Sequence, residues 1–175
     1  MMTSRNKDHI YHPIVAFMTM TLLISFSVAA FGADEDEQRR AETFNLDNGL
    51  ALKGYDPVSY FIEPEPRKGD SELSGVYKGV TYYFASEDNR NTFFNDPESY
   101  EPRYGGYCAY TMLDGDTQSV NPENFKIVDG QLLLFYRMRF GIINALSRWN
   151  SLAEETEGGD QTLMQQAEEH WIRIQ

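Results

Sequence analysis

The sequence predicts an α+β fold, and two kinds of pattern lead to that expectation. Lys78-Gly79 and Asp129-Gly130 each separate two short, β-prone apolar runs, which is the pattern of a β-hairpin. After Arg137 the apolar residues recur instead at helical spacing, in two successive stretches. Strand pairs followed by helices are typical of α+β proteins rather than of parallel βαβ sheets. We therefore expect short antiparallel hairpins, a short central helix and two C-terminal helices.

A turn and a strand-like run are predicted before the first hairpin. The Asp56-Pro57 pair marks the turn, and residues 58–61 form the strand-like run that follows it. A polar loop with two prolines comes next. The hairpin itself then pairs residues 76–77 with residues 80–84.

The central helix is predicted to begin after Ser86 and to end at Pro97. The Ser86 side chain is a good N-cap, and two acidic residues follow it where the positive end of the helix dipole lies. Proline cannot continue a helix, so Pro97 ends it. Phe93 and Phe94 are expected to form the buried face of this helix.

Two helices are predicted after the second hairpin. The first runs from Arg137 to about Glu155, and the Gly158-Gly159 pair separates it from the second. Asp160 is the expected N-cap of the second helix. The apolar residues of this last helix recur on one face, at Leu163, Ala167, Trp171 and Ile174.

The N-terminal residues have the layout of a secretory signal peptide. A short basic region precedes an apolar stretch, which ends in small residues before an acidic run. Cleavage after Gly32 would remove residues 1–32. An uncleaved membrane anchor is the alternative, because the apolar stretch has about the shortest length that spans a bilayer. Residues 33–43 are then expected to be an acidic, disordered linker and residues 44–175 a single domain, either periplasmic or secreted, or anchored if the leader is retained.

The charge of the chain excludes one class of partner. The formal net charge is −12, and it becomes −13 when residues 1–32 are removed. So acidic a domain is repelled by nucleic acid and by anionic lipid, and we expect membrane contact only through an uncleaved leader. The single cysteine rules out an internal disulfide, and His170 is the only histidine after the leader.

Three segments occur in an order that is found in a known family. "KGYDPVSYF" begins at Lys53, "YKGVTYYFASEDNRNTFFNDPESYEPRYGGYCAY" begins at Tyr77, and "FKIVDGQLLLFY" ends at Tyr136. Together these segments resemble the exported YHS-domain proteins of bacteria. The resemblance implies a small α+β domain outside the cytoplasm. Because the wider group is associated with metal binding, it also implies a metal ligand, with copper among the candidates.

One hypothesis is a soft-metal site at the single cysteine. A closed zinc site needs four ligands, drawn mainly from cysteine and histidine, and the chain after the leader supplies one of each. A monovalent copper ion needs fewer ligands, and Met112 shares a face with Cys108 if this segment is helical. His170 would join them if the last helix packs against this segment. A copper ion held by Cys108, Met112 and His170 is therefore the candidate cofactor.

The alternative hypothesis is a thiol-dependent redox protein that uses the same sulfur. If Gly105-Gly106 is a tight turn and a helix starts near Tyr107, unpaired backbone N–H groups would lower the pKa of Cys108. The chain has no second cysteine to resolve an oxidised thiol, so an external thiol would be required. A third interpretation is that Cys108 is simply a small, buried apolar side chain.

A small-ligand site is predicted around the tyrosines. Tyrosine rings can line an apolar pocket with hydroxyl tips, and Asp56 is the most suggestive carboxylate, although aspartate before proline also caps turns. The chain shows no nucleophile with an adjacent base, so a binding module, or a domain whose exposed rings contact an envelope protein, is expected rather than an enzyme. The predicted ligand-binding residues are Tyr55, Asp56, Tyr60, Tyr104, Tyr107 and Cys108.

Overall fold

The computed structural model describes residues 34–138 and 141–175. The predicted signal peptide, and its alternative as an uncleaved anchor, lie outside these residues. The helices are α1 (34–43), α2 (Ser59–Ile62), α3 (Glu87–Asn95), α4 (Ala109–Met112), α5 (Ala145–Glu155) and α6 (Gly159–Ile174). The strands are β1 (Asp70–Tyr77), β2 (Val80–Phe84), β3 (Asn121–Val128) and β4 (Gln131–Phe135).

Both predicted hairpins are present, and the α+β fold class is confirmed. β1 pairs antiparallel with β2, and β3 pairs antiparallel with β4. The residues of the first turn, Lys78 and Gly79, have φ angles of 44° and 77°, and those of the second, Asp129 and Gly130, have 49° and 74°. Positive φ at both central residues is typical of the type I′ turn, whose twist matches that of the flanking strands.

Strand β4 has neighbours on both edges. It pairs with β3 on one edge, and on the other edge two parallel bridges join Leu132 to Pro102 and Leu134 to Cys108. Four consecutive residues of β4 are buried. This burial explains why the strand is a continuous apolar run rather than an alternating one.

The run 58–61, for which the sequence predicts a strand, forms helix α2 instead. One carboxylate oxygen of Asp56 accepts the Val58 N–H at 2.8 Å, and the Asp56 carbonyl accepts the Ser59 hydroxyl at 2.7 Å. Pro57 lies between them with its φ already fixed by the ring. These local bonds close a helical turn, so the strand prediction is wrong.

Helix α3 begins where predicted, and half of its predicted buried face is confirmed. The Ser86 hydroxyl accepts the Asn89 N–H at 3.1 Å, as an N-cap does. Phe93 is fully buried, whereas Phe94 is 40% exposed. Successive side chains on a helix point about 100° apart, so Phe94 lies at the edge of the buried face, where its ring still contacts Phe84 and Phe93.

Helix α5 ends at Glu155 as predicted but begins at Ala145, not at Arg137. The Asn144 side chain accepts the Leu146 N–H at 3.1 Å and so caps the helix at this point. Before the cap, the backbone of Arg137 forms an antiparallel bridge with Asn144. Apolar residues at helical spacing therefore begin before the helix itself, which starts at Ala145.

Helix α6 buries most of the predicted face, but its N-cap is not the predicted one. Gly158 occupies the N-cap position in the left-handed conformation, and Asp160 lies in the first turn. The Asp160 carboxylate instead accepts bonds from Lys126 Nζ at 2.7 Å and from Trp149 Nε1 at 2.6 Å. Three residues of the predicted stripe are buried and the fourth is partly buried: Leu163, Ala167, Trp171 and Ile174.

Residues 34–43 are helical, whereas the sequence predicts a disordered linker over 33–43. The Arg40 Nη2 atom lies 2.5 Å from Glu101 Oε1, and its guanidinium lies 4.4 Å from the centre of the Phe44 ring. The Tyr82 hydroxyl donates to the same Glu101 oxygen. Residues Asp36–Gln175 accordingly form one compact unit. Across the described ranges, the helices are too short or too polar to cross a membrane.

Candidate functional site

The predicted site residues lie in two groups, separated by the second hairpin. Tyr60 contacts the Phe125 ring of β3 edge-on, with ring centres 5.0 Å apart. Phe125 pairs with Leu134 of β4, and Leu134 is bridged on its other side to Cys108. Asp56 and Tyr55 belong with Tyr60, whereas the remaining predicted residues lie on the Cys108 side. The structure therefore does not bring the predicted residues together in one site.

Cys108 is part of the buried core. Its relative exposure is 0%. Its backbone N–H donates to the Gln118 carbonyl at 3.0 Å, and its carbonyl accepts the Met112 N–H at 3.1 Å. Gly105-Gly106 forms the expected tight turn, with φ angles of 57° and 82°, but α4 contains only four residues. The environment matches the third interpretation of Cys108, a small buried side chain, and offers solvent no access to the sulfur.

Two of the three predicted copper ligands lie at α4, and the third belongs to α6, which packs against this part of the chain as the prediction for His170 requires. Met112 lies one turn from Cys108 and is also fully buried. His170 is half-buried and packs against Gly115, where an added Cβ would lie 2.9 Å from its Nδ1 atom. Among the described residues, no group of three or more histidine, cysteine, aspartate or glutamate side chains is placed to hold a metal ion. The full burial of Cys108 and Met112 does not favour copper binding, and the copper hypothesis stays a prediction.

Asp56 is a buried structural carboxylate. It is 0% exposed, and its two oxygens accept the N–H groups of Val58 and Ala85 at 2.8 Å each and the Asn89 side-chain amide at 2.6 Å. These donors come from the residue before α2, from the residue after β2 and from α3. Asp56 therefore joins three parts of the fold.

Tyr104 is likewise occupied within the fold. It is 1% exposed, and its hydroxyl donates to the Met164 carbonyl of α6 at 3.0 Å. Burial raises the pKa of Tyr104 to about 12, so the hydroxyl remains a donor at neutral pH. Tyr107 is half-buried, and its backbone N–H donates to the Tyr104 carbonyl at 3.0 Å. Neither tyrosine lines a described cavity.

A groove with mixed chemistry lies on the Tyr60 side of the hairpin. It has a volume of about 420 Å³, which is in the range of small-molecule sites. The loop after α2 forms one wall, and Glu123 and Phe125 of β3, with the second residue after β4, form the other. We call it the Phe125 groove, and its lining residues are Pro64, Glu65, Pro66, Glu123, Phe125 and Arg137.

Tyr60 supports the apolar floor of the Phe125 groove. It is 3% exposed, its hydroxyl donates to the Pro122 carbonyl at 3.1 Å, and its ring packs against Phe125. Burial, followed by nearby negative charge, raises the pKa of Tyr60, so the hydroxyl stays protonated and the bond persists. Tyr60 therefore positions Phe125 and does not itself face a ligand.

Tyr55 orients one of the two groove carboxylates. Its hydroxyl donates to Glu123 Oε1 at 2.8 Å, and Lys68 Nζ lies 4.2 Å from the centre of its ring. Burial, and then the hydrogen bond and charge of Glu123, raise the pKa of Tyr55 and keep it a donor. The second Glu123 oxygen lies 3.9 Å from Arg137 Nη2.

Arg137 lies between two cavities. One is the Phe125 groove, and the other has a volume of about 390 Å³ and is also lined by Lys53, Asn121 and Tyr136. The Arg137 and Glu123 side chains are 38% and 56% exposed. An exposed pair at this distance contributes about 0–1 kcal/mol, so it separates easily when a ligand offers better partners.

Sequence reasoning identified the neighbourhood of the groove but not its lining. Tyr55 and Tyr60 were singled out, and both support it from behind. The proline loop was recognised only as a polar connection, and Phe125 only as part of a strand. Nothing in the local pattern indicates that Pro64 and Phe125 face each other across a cavity.

The comparisons with known proteins add no relative to this description. No family model, no curated protein and no solved structure matches the chain. The resemblance to exported YHS-domain proteins therefore stays a prediction made from its motifs.

Proposed function

We propose that the chain is a small exported binding module of the YHS type that holds a small polar ligand in the Phe125 groove. The observation that carries the proposal is the composition of this groove. Charged groups of both signs, Glu65, Glu123 and Arg137, surround one aromatic side chain in a cavity of ligand size. Export is proposed from the leader pattern of residues 1–32.

A binding role accounts for the groove better than a catalytic one. Cys108 is sealed in the core and His170 packs against Gly115, and neither of them lines the groove. The groove carboxylates, in contrast, are exposed and adjacent to an aromatic surface. Such an arrangement suits the recognition of charge and shape.

The proposal is tested by titrating the purified chain with three small probes and following its amide signals by NMR. The probes are phenylalanine, phenethylamine and 3-phenylpropionate, which share a ring and differ in charge. At least one of them should shift the signals of residues 64–66 and 121–125. Phe125→Leu should weaken that binding, because it removes the aromatic surface and keeps an apolar side chain.

The matched control is Tyr110→Leu. Tyr110 is also a half-buried ring, but it lines a shallow cavity beside α5. This variant should bind the probes as the unsubstituted protein does. If no probe shifts the groove signals, or if the two variants weaken binding equally, the proposed function is wrong.

A further inference from the structure

We infer that the ligand of the Phe125 groove is a zwitterion of amino-acid size, with its carboxylate on Arg137, its ammonium group on Glu123 and Glu65, and an apolar side chain on Phe125. This inference rests on the proposed function and specifies its ligand class. Four features of the groove lead to it.

The first feature is that Glu123 is held in place before any ligand arrives. The Tyr55 hydroxyl donates to one of its oxygens at 2.8 Å, which fixes the carboxylate plane and leaves the other oxygen with only the 3.9 Å contact to Arg137. A carboxylate with one fixed hydrogen bond loses less conformational freedom when it binds a cation. Glu123 is therefore a pre-oriented acceptor for an ammonium group.

The second feature is that Arg137 has no strong partner among the described residues. Its only described ion pair is the 3.9 Å contact with Glu123, and its side chain is 38% exposed. A guanidinium binds a carboxylate best through two parallel hydrogen bonds. A ligand carboxylate would accept these two bonds, and only the weak contact between Arg137 and Glu123 would be lost.

The third feature is that the groove carries charges of both signs, which disfavours ligands that carry a charge of only one sign. A ligand that carries only a carboxylate meets repulsion from Glu65 and Glu123, both of which line the same cavity. A ligand that carries only an ammonium group meets repulsion from Arg137. A zwitterion satisfies both charges, and charge arrangements of this kind give selectivity against ligands that lack one group.

The fourth feature is the rigidity of the opposite wall. Glu65 lies between Pro64 and Pro66, and each proline ring fixes its own φ and restricts the residue before it. The Phe125 ring is held from behind by Tyr60. The distance between the two walls is therefore set before binding, as suits a small ligand of defined size.

The same three probes test the inference. Phenylalanine carries both charges, phenethylamine only the ammonium group and 3-phenylpropionate only the carboxylate. We expect phenylalanine to bind at least about fivefold more tightly than either of the others, since each lost contact is a charge-assisted hydrogen bond in a partly exposed site.

Two variants identify which residue recognises which charge. Arg137→Gln should lower the affinity for phenylalanine to that for phenethylamine and should not weaken phenethylamine binding. Glu123→Gln should lower it towards that for 3-phenylpropionate, with Glu65 keeping part of the ammonium contact, and should not weaken 3-phenylpropionate binding. Arg148→Gln, which removes a guanidinium from the shallow cavity beside α5, is the matched control and should change neither affinity.

The outcomes separate the inference from the proposed function. If phenethylamine or 3-phenylpropionate shifts the groove signals and binds as tightly as phenylalanine, the groove binds ligands but the zwitterion inference is overturned. The inference is also overturned if Arg137→Gln and Glu123→Gln weaken all three probes equally. If none of the probes shifts the groove signals, the proposed function fails, and the inference fails with it.

Discussion

Asp56 shows how a residue chosen for its chemistry can have a structural role. Its position between Tyr55 and Pro57 suggests a ligand-binding carboxylate, and the sequence equally allows a turn cap. In the structure it accepts three hydrogen bonds and is fully buried. Two of those donors come from Ala85 and Asn89, about 30 residues further along the chain, so local pattern alone could not reveal the burial. A buried carboxylate must have its hydrogen bonds satisfied within the protein, and here it does.

Cys108 gives a prediction at the scale of a single residue. Because the sulfur is 0% exposed, a thiol reagent such as DTNB should not label the native protein and should label it fully in urea. Cys108→Ser should lower the free energy of unfolding by about 1–3 kcal/mol, because a hydroxyl would be placed in an apolar site. Cys108→Ala is the control that removes the sulfur without adding a polar group.

Rapid, complete labelling of the native protein would contradict this prediction. It would also return the thiol-dependent hypothesis to consideration, since that hypothesis requires a reachable sulfur. The burial of Cys108 was one of three interpretations that the sequence left open. What decides among them is its bridge to Leu134, a residue 26 positions away in the sequence.

At the scale of elements, the turns were predicted more reliably than the segments next to them. Asp129-Gly130 has the composition that type I′ turns prefer, Lys78-Gly79 has glycine at the second central position, and both hairpins are present. Residues 58–61 instead follow the local hydrogen bonds of Asp56, which outweigh their β-prone composition. The start of α5 depends on the Asn144 cap, and a periodic pattern does not show where a cap lies.

Helix α1 is fixed to the domain by one buried ion pair, which gives a prediction at this scale. Arg40 and Glu101 have side chains that are each 11% exposed. Arg40→Ala should lower the free energy of unfolding by about 3 kcal/mol, because it leaves Glu101 buried with only the Tyr82 hydroxyl as partner. Urea unfolding of the single and double variants measures the coupling.

The informative variant is the pair Arg40→Ala with Glu101→Gln. Neutralising Glu101 removes the unpaired charge, so the double variant should be less unstable than the sum of the two single variants. Strictly additive effects would show that the pair is not coupled. Arg39→Ala, on an exposed side chain of the same helix, should change stability by no more than about 0.5 kcal/mol.

At the scale of the whole molecule, one polar cluster joins the second hairpin to both C-terminal helices. Asp160 of α6 accepts hydrogen bonds from Lys126 of β3 and from Trp149 of α5. Burial raises the pKa of Asp160, but the hydrogen bonds and the Lys126 charge lower it more, so the net shift is downward from 3.8. A carboxyl whose pKa falls on folding stabilises the protein above its unfolded pKa and loses that contribution as the pH drops.

The predicted pH dependence follows from this sign. The difference in free energy of unfolding between the unsubstituted protein and Asp160→Asn should be largest near neutral pH. It should shrink as the pH falls below the ordinary aspartate pKa of 3.8. Urea unfolding at several pH values measures it, with Asp114→Asn as an exposed control. If the difference in free energy of unfolding did not change with pH, the lowered pKa of Asp160 would be contradicted.

The fold class followed from the sequence because it depends on the order of turns and helical stretches, each of which is a local signal. The Phe125 groove depends on contacts between distant segments, and Tyr55 and Glu123, for example, are 68 residues apart. Hydrophobic periodicity shows which side of a strand is buried, but it does not show which loop covers the end of that strand. The lining of the groove could therefore be found only from the structure.

The pairing of β4 on both of its edges affects how copies of this protein can associate. An open strand edge presents a row of unpaired N–H and C=O groups, on which other chains can add as further strands and aggregate. The bridges from Pro102 and Cys108 cover the β4 edge that β3 leaves free. Self-association through this apolar strand would first require the segment 102–108 to detach, and that segment is itself tied into the core.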